Sequence, residues 1–509
     1  MKKLLKNLTI ILAIAFMLSL IPIIQLSPHI YAQVDDFSFS RFTHVAWVHT
    51  HNIFAVIGAA FKTIPFFYTL WQGTYTSAFL MSLEPGIWNQ EFYHIVPMLM
   101  IAILGVATFW FVSSFVSGVL KLDKYISSGI TLLILMISFQ CIKQPAEAFT
   151  WYNGAIHYTG IYAMWLILIT CNIKVFASGG AGKRAQVGLC LLAFLVAGGN
   201  NLTVLTALIV QAYMLLFIGV MALFKGKLTG KESEDNKKYC EHKAGYNKLL
   251  ITFIPETICL FIGAMINFLA PGNAIRMEAM GGNSNGIVET IVKSFSAGLK
   301  YSFDWTISIS SLLFIAWLLP FAMVIIKRLV DKFGFEFKFP LLLILAEYCL
   351  FSAMWAPNIY TSDETEVLRT QNFIYLVYIV LLTVTVTYLM GWVYVRLLRK
   401  YKITSRLPLL CGALVVCATI GFAATIVHAG SYGYYTSVAA YNAVKSGDAL
   451  QWAGTIRYDF KVLEESDAPE VRIAKPESGS PVITCDEIEE WRHGLVYYYE
   501  KESVLYDFE

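Results

Sequence analysis

The chain has 509 residues, of which 57% are hydrophobic and only 14% are charged. Soluble domains carry roughly 25% charged residues, so this composition excludes an ordinary soluble protein, and the net charge of +3 gives no indication of a nucleic-acid partner. The apolar residues form repeated runs of about twenty, the length that crosses a hydrocarbon core as a helix. The sequence therefore predicts an all-α polytopic membrane protein.

The apolar runs predict about eleven transmembrane helices. The first also resembles a signal peptide cleaved near Ala32, but its length favours a retained helix. The fifth ends in Gly198-Gly199-Asn200-Asn201, and with the sixth it also fits a re-entrant or broken helix. The expected bounds are about 7–29, 94–117, 125–142, 158–173, 185–199, 202–224, 249–270, 305–326, 340–356, 373–395 and 407–428.

The distribution of basic residues predicts the orientation. With a cytoplasmic N-terminus, 24 lysines and arginines fall in cytoplasmic segments and 7 in outer loops. Positive charge favours the cytoplasmic side, so we expect the N-terminus and the Lys- and Glu-rich loop 225–248, a flexible connector, to lie in the cytoplasm. The apolar runs place the transmembrane domain at residues 1–429. The C-terminal region then lies outside the cytoplasm.

Two outer segments are long. Residues 30–93, the predicted first outer loop, are too aromatic for a solvated loop and suit helices that lie in the membrane interface. Residues 430–509 combine both charges, a turn-rich stretch and an aromatic end, and are expected to form a small folded extracytoplasmic appendix of α+β type. The chain has no paired cysteine motif typical of a zinc site.

Asp35 and Asp36 follow directly on the first apolar run. Carboxylates are costly at the edge of a bilayer and rarely lie there without a role. An aspartate near its usual pKa of about 3.9 accepts a proton from an attacking hydroxyl, so we expect this pair to be catalytic. The alternative is that one of them caps a helix starting near Phe37. Adjacent side chains diverge, so the two are not expected to be equivalent.

The outer segment 145–158 combines aromatic rings with polar side chains. Aromatic faces stack on sugars while amides and carboxylates bind their hydroxyls, so the segment is a candidate sugar-binding loop. The alternative is an aromatic belt at the membrane interface. The candidate substrate-binding residues here are Glu147, Trp151, Asn153 and His157.

Further candidates lie at other outer ends. Asn200 and Asn201 require a polar partner or a cavity at their depth, or else form a cap after Gly199. Arginines are scarce in the outer loops, so Arg276, which follows Asn273, and Arg369 are candidates to bind a phosphate. Either is equally suited to pairing with a local carboxylate.

Several carboxylates and one histidine are weaker candidates. Glu84, Glu91 and His94 lie near the entry to the second apolar run. Glu256 and Glu347 fall within apolar runs, where ionisable residues mark polar pathways, although Glu256 is placed to reach the cytoplasmic interface.

The chain resembles the GT-C class of membrane glycosyltransferases, and in particular a bacterial family of uncharacterised multi-pass proteins related to that class. The likeness covers most of the chain, although Thr74 stands where the family pattern Trp-x-Gly-Arg has arginine. The matching pieces are Asp35-Asp36-Phe37, Trp71-Gln72-Gly73, Trp151-Tyr152-Asn153-Gly154, Pro271-Gly272-Asn273 with Arg276, and the tyrosine-rich end at 497–499.

The resemblance implies transfer of a sugar from a polyprenyl-phosphate donor to a cell-surface glycan, polymer or lipid at the outer face. Asp35 or Asp36 would deprotonate the acceptor, and Arg276 or Arg369 would hold the leaving phosphate. The two carboxylates also allow a divalent metal, which the sequence does not require. The alternatives are a transporter or flippase of lipid-linked glycans, and a polysaccharide polymerase or ligase.

Overall fold

The computed structural model describes residues 2–224, 234–279, 285–400, 407–429, 435–474, 476–483 and 489–507. Within these ranges the chain is almost entirely helical and has two short strands. Nine of the described helices are long and apolar enough to cross a membrane. The expectation of a helical polytopic membrane protein is therefore confirmed.

The described residues 2–224 form ten α-helices. Short 3-10 and π-helical turns join several of them. The helices are α1 (Lys2–Leu26), α2 (Asp36–Thr50), α3 (Ile53–Leu70), α4 (Tyr75–Met81), α5 (Val96–Ser113), α6 (Lys124–Gln140), α7 (Tyr152–Ala155), α8 (Ile161–Ser178), α9 (Lys183–Ala197) and α10 (Asn201–Phe224).

The second half of the described chain contains the remaining helices and both strands. They are α11 (Glu234–Phe268), α12 (Pro271–Ala279), α13 (Ile287–Thr306), α14 (Ile309–Phe333), α15 (Pro340–Ala353), α16 (Ala356–Ser362), α17 (Leu368–Val393), α18 (Leu407–Ala429), α19 (Thr436–Ser446), α20 (Asp448–Glu465), β1 (Glu470–Ile473), α21 (Glu489–Tyr498) and β2 (Ser503–Tyr506).

The membrane-length helices largely follow the predicted runs. Eight of the nine overlap predicted spans, and two further predicted spans correspond to the shorter apolar helices Lys124–Gln140 and Leu409–Ala424. The predicted fifth span corresponds to α9, which has 15 residues. The ninth long helix is α3, in the segment where the sequence predicts interfacial helices.

The predicted cytoplasmic loop 225–248 is only partly described. Residues 225–233 lie outside the described ranges, while Glu234 begins α11, which continues to Phe268. The sequence predicted a flexible connector there, but lysine and glutamate are also good helix formers. An apolar helix directly downstream favours the helical alternative, because helix propagation costs less than nucleation.

The C-terminal region packs on the N-terminal helices. Helix α19 lies against α1, and α21 lies against α2. Strands β1 and β2 pair in parallel from Glu470 opposite Ser503 to Ile473 opposite Tyr506. Because α21 packs beside α2, the end of the chain lies close to the aspartate pair.

Helix α21 depends on a close approach at Gly494. A Cβ there would lie 2.9 Å from the Cβ of Phe37 and 3.0 Å from the backbone nitrogen of Ser38. Only glycine leaves room for this contact, so the sequence of α21 itself sets its distance from the first turn of α2.

Candidate active site

A partly open cavity of about 340 Å³ lies beside the start of α2. Six of the candidate residues line it: Asp35, Trp151, Asn153, His157, Arg276 and Arg369. The other lining residues are Ser38, Phe39, Phe67, Trp71, Gln72, Met81, Gly154, Tyr158 and His493. The fold thus brings a carboxylate, two guanidinium groups and several aromatic rings from distant parts of the sequence to one cavity.

The two aspartates have different surroundings. Asp35 is partly exposed at the cavity, whereas Asp36 is fully buried. Asp35 occupies the position before the first turn of α2, but its side chain makes no capping hydrogen bond. Instead its Oδ1 accepts a hydrogen bond from Asn153 Nδ2 at 3.2 Å. The capping alternative therefore does not describe Asp35.

The backbone before Asp35 is strained. Val34 is buried and has a φ angle of +53°. A β-branched residue rarely adopts this left-handed conformation, which costs on the order of 1–3 kcal/mol and persists only where the surroundings enforce it. Val34 thus forms the turn that leads into α2, where the adjacent side chains of Asp35 and Asp36 diverge, one to the cavity and the other to the interior.

Asp36 accepts three hydrogen bonds. Its Oδ2 accepts from the backbone N–H of Gln33 at 3.0 Å and from the Tyr93 hydroxyl at 2.6 Å. Its Oδ1 accepts from the backbone N–H of Asn153 at 3.0 Å. The Tyr93 hydroxyl in turn accepts from the backbone N–H of Tyr152 at 2.7 Å. Asp36 thereby fixes residues 152 and 153 beside the cavity.

The surroundings of Asp36 affect its titration. Burial raises the pKa of Asp36 well above its ordinary value, and the nearby Glu84 carboxyl adds to the rise. Hydrogen bonds from Tyr93, Gln33 and Asn153 oppose it. Because both carboxylate oxygens are occupied by donors, Asp36 is placed to hold the structure and not to contact a substrate.

The predicted sugar-binding loop is helical. Helix α7 lies between two π-helical turns, Ala146–Thr150 and Ile156–Gly160. The segment is buried throughout. It packs against α5, and the side chains of Tyr93 and Asp36 accept hydrogen bonds from its backbone, which local sequence does not reveal. Such π-turns are frequent at functional sites. The segment presents Trp151, Asn153 and His157 to the cavity.

The two arginines approach the cavity from α12 and α17. Nη1 of Arg276 donates to Oε1 of Gln72 at 2.6 Å, and its guanidinium carbon lies 5.5 Å from the centre of the Trp71 ring. Nη1 of Arg369 lies 3.8 Å from Oε1 of Glu147. The alternative for Arg369 was a local carboxylate on the surface, but the carboxylate beside it is the buried Glu147, on a different element of the fold.

Asn273 does not line the cavity but positions Arg276. Its Nδ2 donates to the Asn267 carbonyl at 2.7 Å, and its Oδ1 accepts from the backbone N–H of Gly73 at 3.1 Å. A Cβ on Gly272 would lie 2.5 Å from the Trp71 nitrogen. This close packing seats α12 on the turn that carries Gln72.

Asn200 and Asn201 also lie outside the cavity lining. Nδ2 of Asn200 donates to the His157 carbonyl at 2.7 Å, and its Oδ1 accepts from the Thr203 N–H at 2.8 Å. Asn200 therefore caps the start of α10, whereas the sequence analysis placed the alternative cap at the end of the preceding helix. Its contact with His157 supports the cavity wall from behind.

Glu84, Glu91 and His94 do not line the cavity. Glu84 is fully buried beside Tyr498, and burial raises the pKa of Glu84 to about 8. Oε1 of Glu91 accepts from the Tyr31 hydroxyl at 2.9 Å, and its Oε2 lies 3.4 Å from Nδ1 of His94. These groups belong to the support around Asp36 and Tyr31.

Three polar lining residues were not among the sequence candidates: Ser38, Gln72 and His493. Gln72 was noted only as part of the Trp71-Gln72-Gly73 match. Ser38 is one turn from Asp35 on α2, and this helical spacing was the available signal. His493 comes from α21, and no local pattern indicates that the end of the chain reaches the cavity. Residues 481–483, which precede α21, also contact the elements around the cavity. The Pro481 carbonyl accepts a hydrogen bond from the Ala146 N–H at 2.9 Å, and the Ile483 carbonyl accepts one from Gln33 Nε2 at 2.8 Å.

Within the described ranges, no group of three histidine, cysteine, aspartate or glutamate side chains is arranged to hold a metal ion. Comparison with protein-family models, with curated proteins and with solved structures finds no match for this chain.

Proposed function

We propose that this protein is a membrane glycosyltransferase of the GT-C type, which transfers a sugar from a polyprenyl-phosphate donor to a surface glycan, polymer or lipid. The observation that carries the proposal is that Asp35, Arg276 and Arg369 line one cavity. A general base and two cations at one site match a reaction in which a hydroxyl loses a proton and a phosphate leaves with negative charge.

The reaction proposed is a single displacement. The Asp35 carboxylate accepts the proton of the acceptor hydroxyl while its oxygen forms a bond to the anomeric carbon. The bond from that carbon to the lipid phosphate oxygen breaks, and the electron pair leaves with the phosphate. The sugar configuration inverts, and the guanidinium groups of Arg276 and Arg369 stabilise the phosphate charge by donated hydrogen bonds.

The remaining polar and aromatic lining fits a sugar. Trp71 and Trp151 provide ring faces, while Gln72 and Asn153 provide amides that bind hydroxyls. Because Asn153 also donates to Asp35, it is suited to orient the base. Asp36 supports this arrangement by fixing the backbone of Asn153.

The proposed topology has eleven transmembrane helices, a cytoplasmic N-terminus, and an extracytoplasmic cavity and C-terminal appendix. Helix α3 is then interfacial. In its support, α3 packs chiefly on α2, α4 and α12. Lys62 also falls at the middle of Ile53–Leu70, where a charge in a lipid-facing span is costly.

The test is sugar transfer by purified protein in lipid nanodiscs, with a panel of undecaprenyl-phosphate hexoses and extracted surface glycan. We expect Asp35→Asn to lower the transfer rate by about 10²–10⁴-fold, the usual contribution of a general base. Asp467→Asn is the matched control, since Asp467 is exposed in the C-terminal region. Full transfer by Asp35→Asn contradicts the proposal, and loss of lipid-linked glycan transport instead favours a flippase.

A further inference from the structure

A second cavity lies within the apolar helices, away from the proposed active site. It has a volume of about 540 Å³ and is lined by α8, α10, Leu260 of α11 and the π-helical turn Ser114–Val119. Most of its wall is apolar or aromatic. Two amides are the polar exceptions, Asn172 and Gln211.

The polar residues at this cavity form a buried cluster with Glu256. Asn172 is 7% exposed, Gln211 is 3% exposed and Glu256 is fully buried. Nδ2 of Asn172 donates to Oε1 of Glu256 at 2.8 Å. The sequence position of Glu256 indicated that its side chain reaches the cytoplasmic interface. In the fold the side chain is instead buried and hydrogen-bonded to Asn172.

Each amide keeps one polar atom without a hydrogen-bond partner. These atoms are Oδ1 of Asn172, an acceptor, and Nε2 of Gln211, a donor with two N–H groups. Oε2 of Glu256 has no partner at hydrogen-bonding distance either, and the Gln211 side chain interacts with this carboxyl. The second N–H of Gln211 can then bind a ligand. A buried amide group without a partner costs about 1–3 kcal/mol, so such groups in a native structure call for an explanation. One hydroxyl group satisfies both, because it donates one hydrogen bond and accepts another.

The depth of the cavity restricts the ligand further. Gln211 lies near the middle of the membrane-length helix Asn201–Leu223, and Glu256 near the middle of Gly245–Phe268. A phosphate or another fixed charge is very costly at this depth. A neutral hydroxyl with a long apolar chain fits both the two amides and the apolar wall.

We propose that this cavity is a binding site for a neutral long-chain lipid alcohol, with the hydroxyl held between Asn172 and Gln211. The chain packs on the apolar wall, which includes Trp165 and Leu168. The cavity is distinct from the one lined by Asp35, so binding does not depend on sugar transfer.

The test is photolabelling of the purified protein in nanodiscs with a long-chain alcohol that carries a diazirine in its chain. We expect labelled peptides from α8 and α10, and competition by the unlabelled alcohol. Gln211→Leu should lower labelling about tenfold, because the hydroxyl then loses the hydrogen bond donated by Gln211. Gln451→Leu, at an exposed position on α20, is the matched control.

A second variant covers the case in which Gln211→Leu does not fold. Ala207 is buried and lines the cavity, so Ala207→Phe should exclude the alcohol while keeping both amides. Asp35→Asn should label like the wild type. Equal labelling of wild type and Ala207→Phe, equal labelling by the matched fatty acid or phosphatidylcholine probe, or labelling spread over the lipid-facing surface would overturn the proposal.

Discussion

The carboxylate of Asp35 lies at a partly open cavity, whereas that of Asp36 is enclosed by three hydrogen-bond donors. Two residues of the same type, adjacent in sequence, are thus placed for different roles. Adjacent side chains diverge along the backbone, so one carboxylate faces the cavity and the other the interior.

Asp36→Asn should lower the free energy of unfolding, because Asp36 holds the structure and does not contact the substrate. The amide would direct an N–H toward a group that is itself a donor, and a buried unpaired group costs about 1–3 kcal/mol. Thermal unfolding in detergent measures the loss. A variant as stable as wild type would show that the contacts of Asp36 are dispensable.

Replacing Arg276 or Arg369 by glutamine should lower kcat/KM for the lipid donor by about 10²-fold, the typical effect of removing one donor to a developing anion. Arg184→Gln, at an exposed position on α9, is the matched control. Steady-state kinetics with varied donor concentration separate this effect from folding. Unchanged kinetics in both arginine variants would exclude them from phosphate binding.

Glu84 predicts a pH dependence of stability. Its pKa is about 8 in the folded protein because of burial, against 4.5 when unperturbed. Between these two values the folded state binds a proton that the unfolded state has released. The contribution of Glu84 to stability is therefore full below pH 4.5 and is lost as the pH rises through about 8. We expect Glu84→Gln to flatten the fall of Tm between these limits, while exposed Glu477→Gln leaves it unchanged. An identical slope in Glu84→Gln would assign the dependence to other groups, such as Asp459, whose pKa burial raises to about 7.

At the scale of elements, the site depends on α21 packing against α2. Gly494→Ala places a methyl group against the Ser38 backbone, which should cost about 1–3 kcal/mol and displace His493 from the cavity. Gly454→Ala is the matched control, because a Cβ there meets nothing within 4 Å and alanine favours a helix. Lower Tm and activity for Gly494→Ala alone would support the packing; equal behaviour of the two variants would contradict it.

The sequence predicted helices where a single stretch of residues carries the pattern. Continuous apolar runs predicted α5, α10 and α17 to within a few residues, because one property decides both helix and burial. The helical form of 146–157 was not predicted, because π-turns depend on tertiary contacts. Helix α21 was anticipated only as part of a folded appendix, and its contact with α2 depends on pairing between distant segments.

For the whole molecule, composition and the apolar runs predicted a helical polytopic membrane protein, but not which candidate residues meet. The sequence singled out Asp35, Arg276 and Arg369 as candidates, and the fold brings them to one cavity. It did not indicate that Asn200 and Asn273 act as hydrogen-bonding supports. That distinction depends on side-chain direction at helix ends, which residue type alone does not specify.

The proposed topology is testable with single cysteines in a cysteine-free variant. His51→Cys and Lys62→Cys should both react with an impermeant maleimide in intact cells, since the proposed topology places α3 at the outer interface. Lys121→Cys, after α5, should react only after permeabilisation. Failure of Lys62→Cys to react, with His51→Cys and Lys121→Cys both labelled in intact cells, would favour α3 as a span.

The most direct measurement is a structure of the protein bound to a non-transferable polyprenyl-phosphonate sugar. We predict the phosphonate oxygens within about 3 Å of the guanidinium nitrogens of Arg276 and Arg369, with the anomeric carbon facing the Asp35 carboxylate. A sugar phosphonate bound elsewhere, with Asp35 turned to open solvent, would contradict the proposed active site.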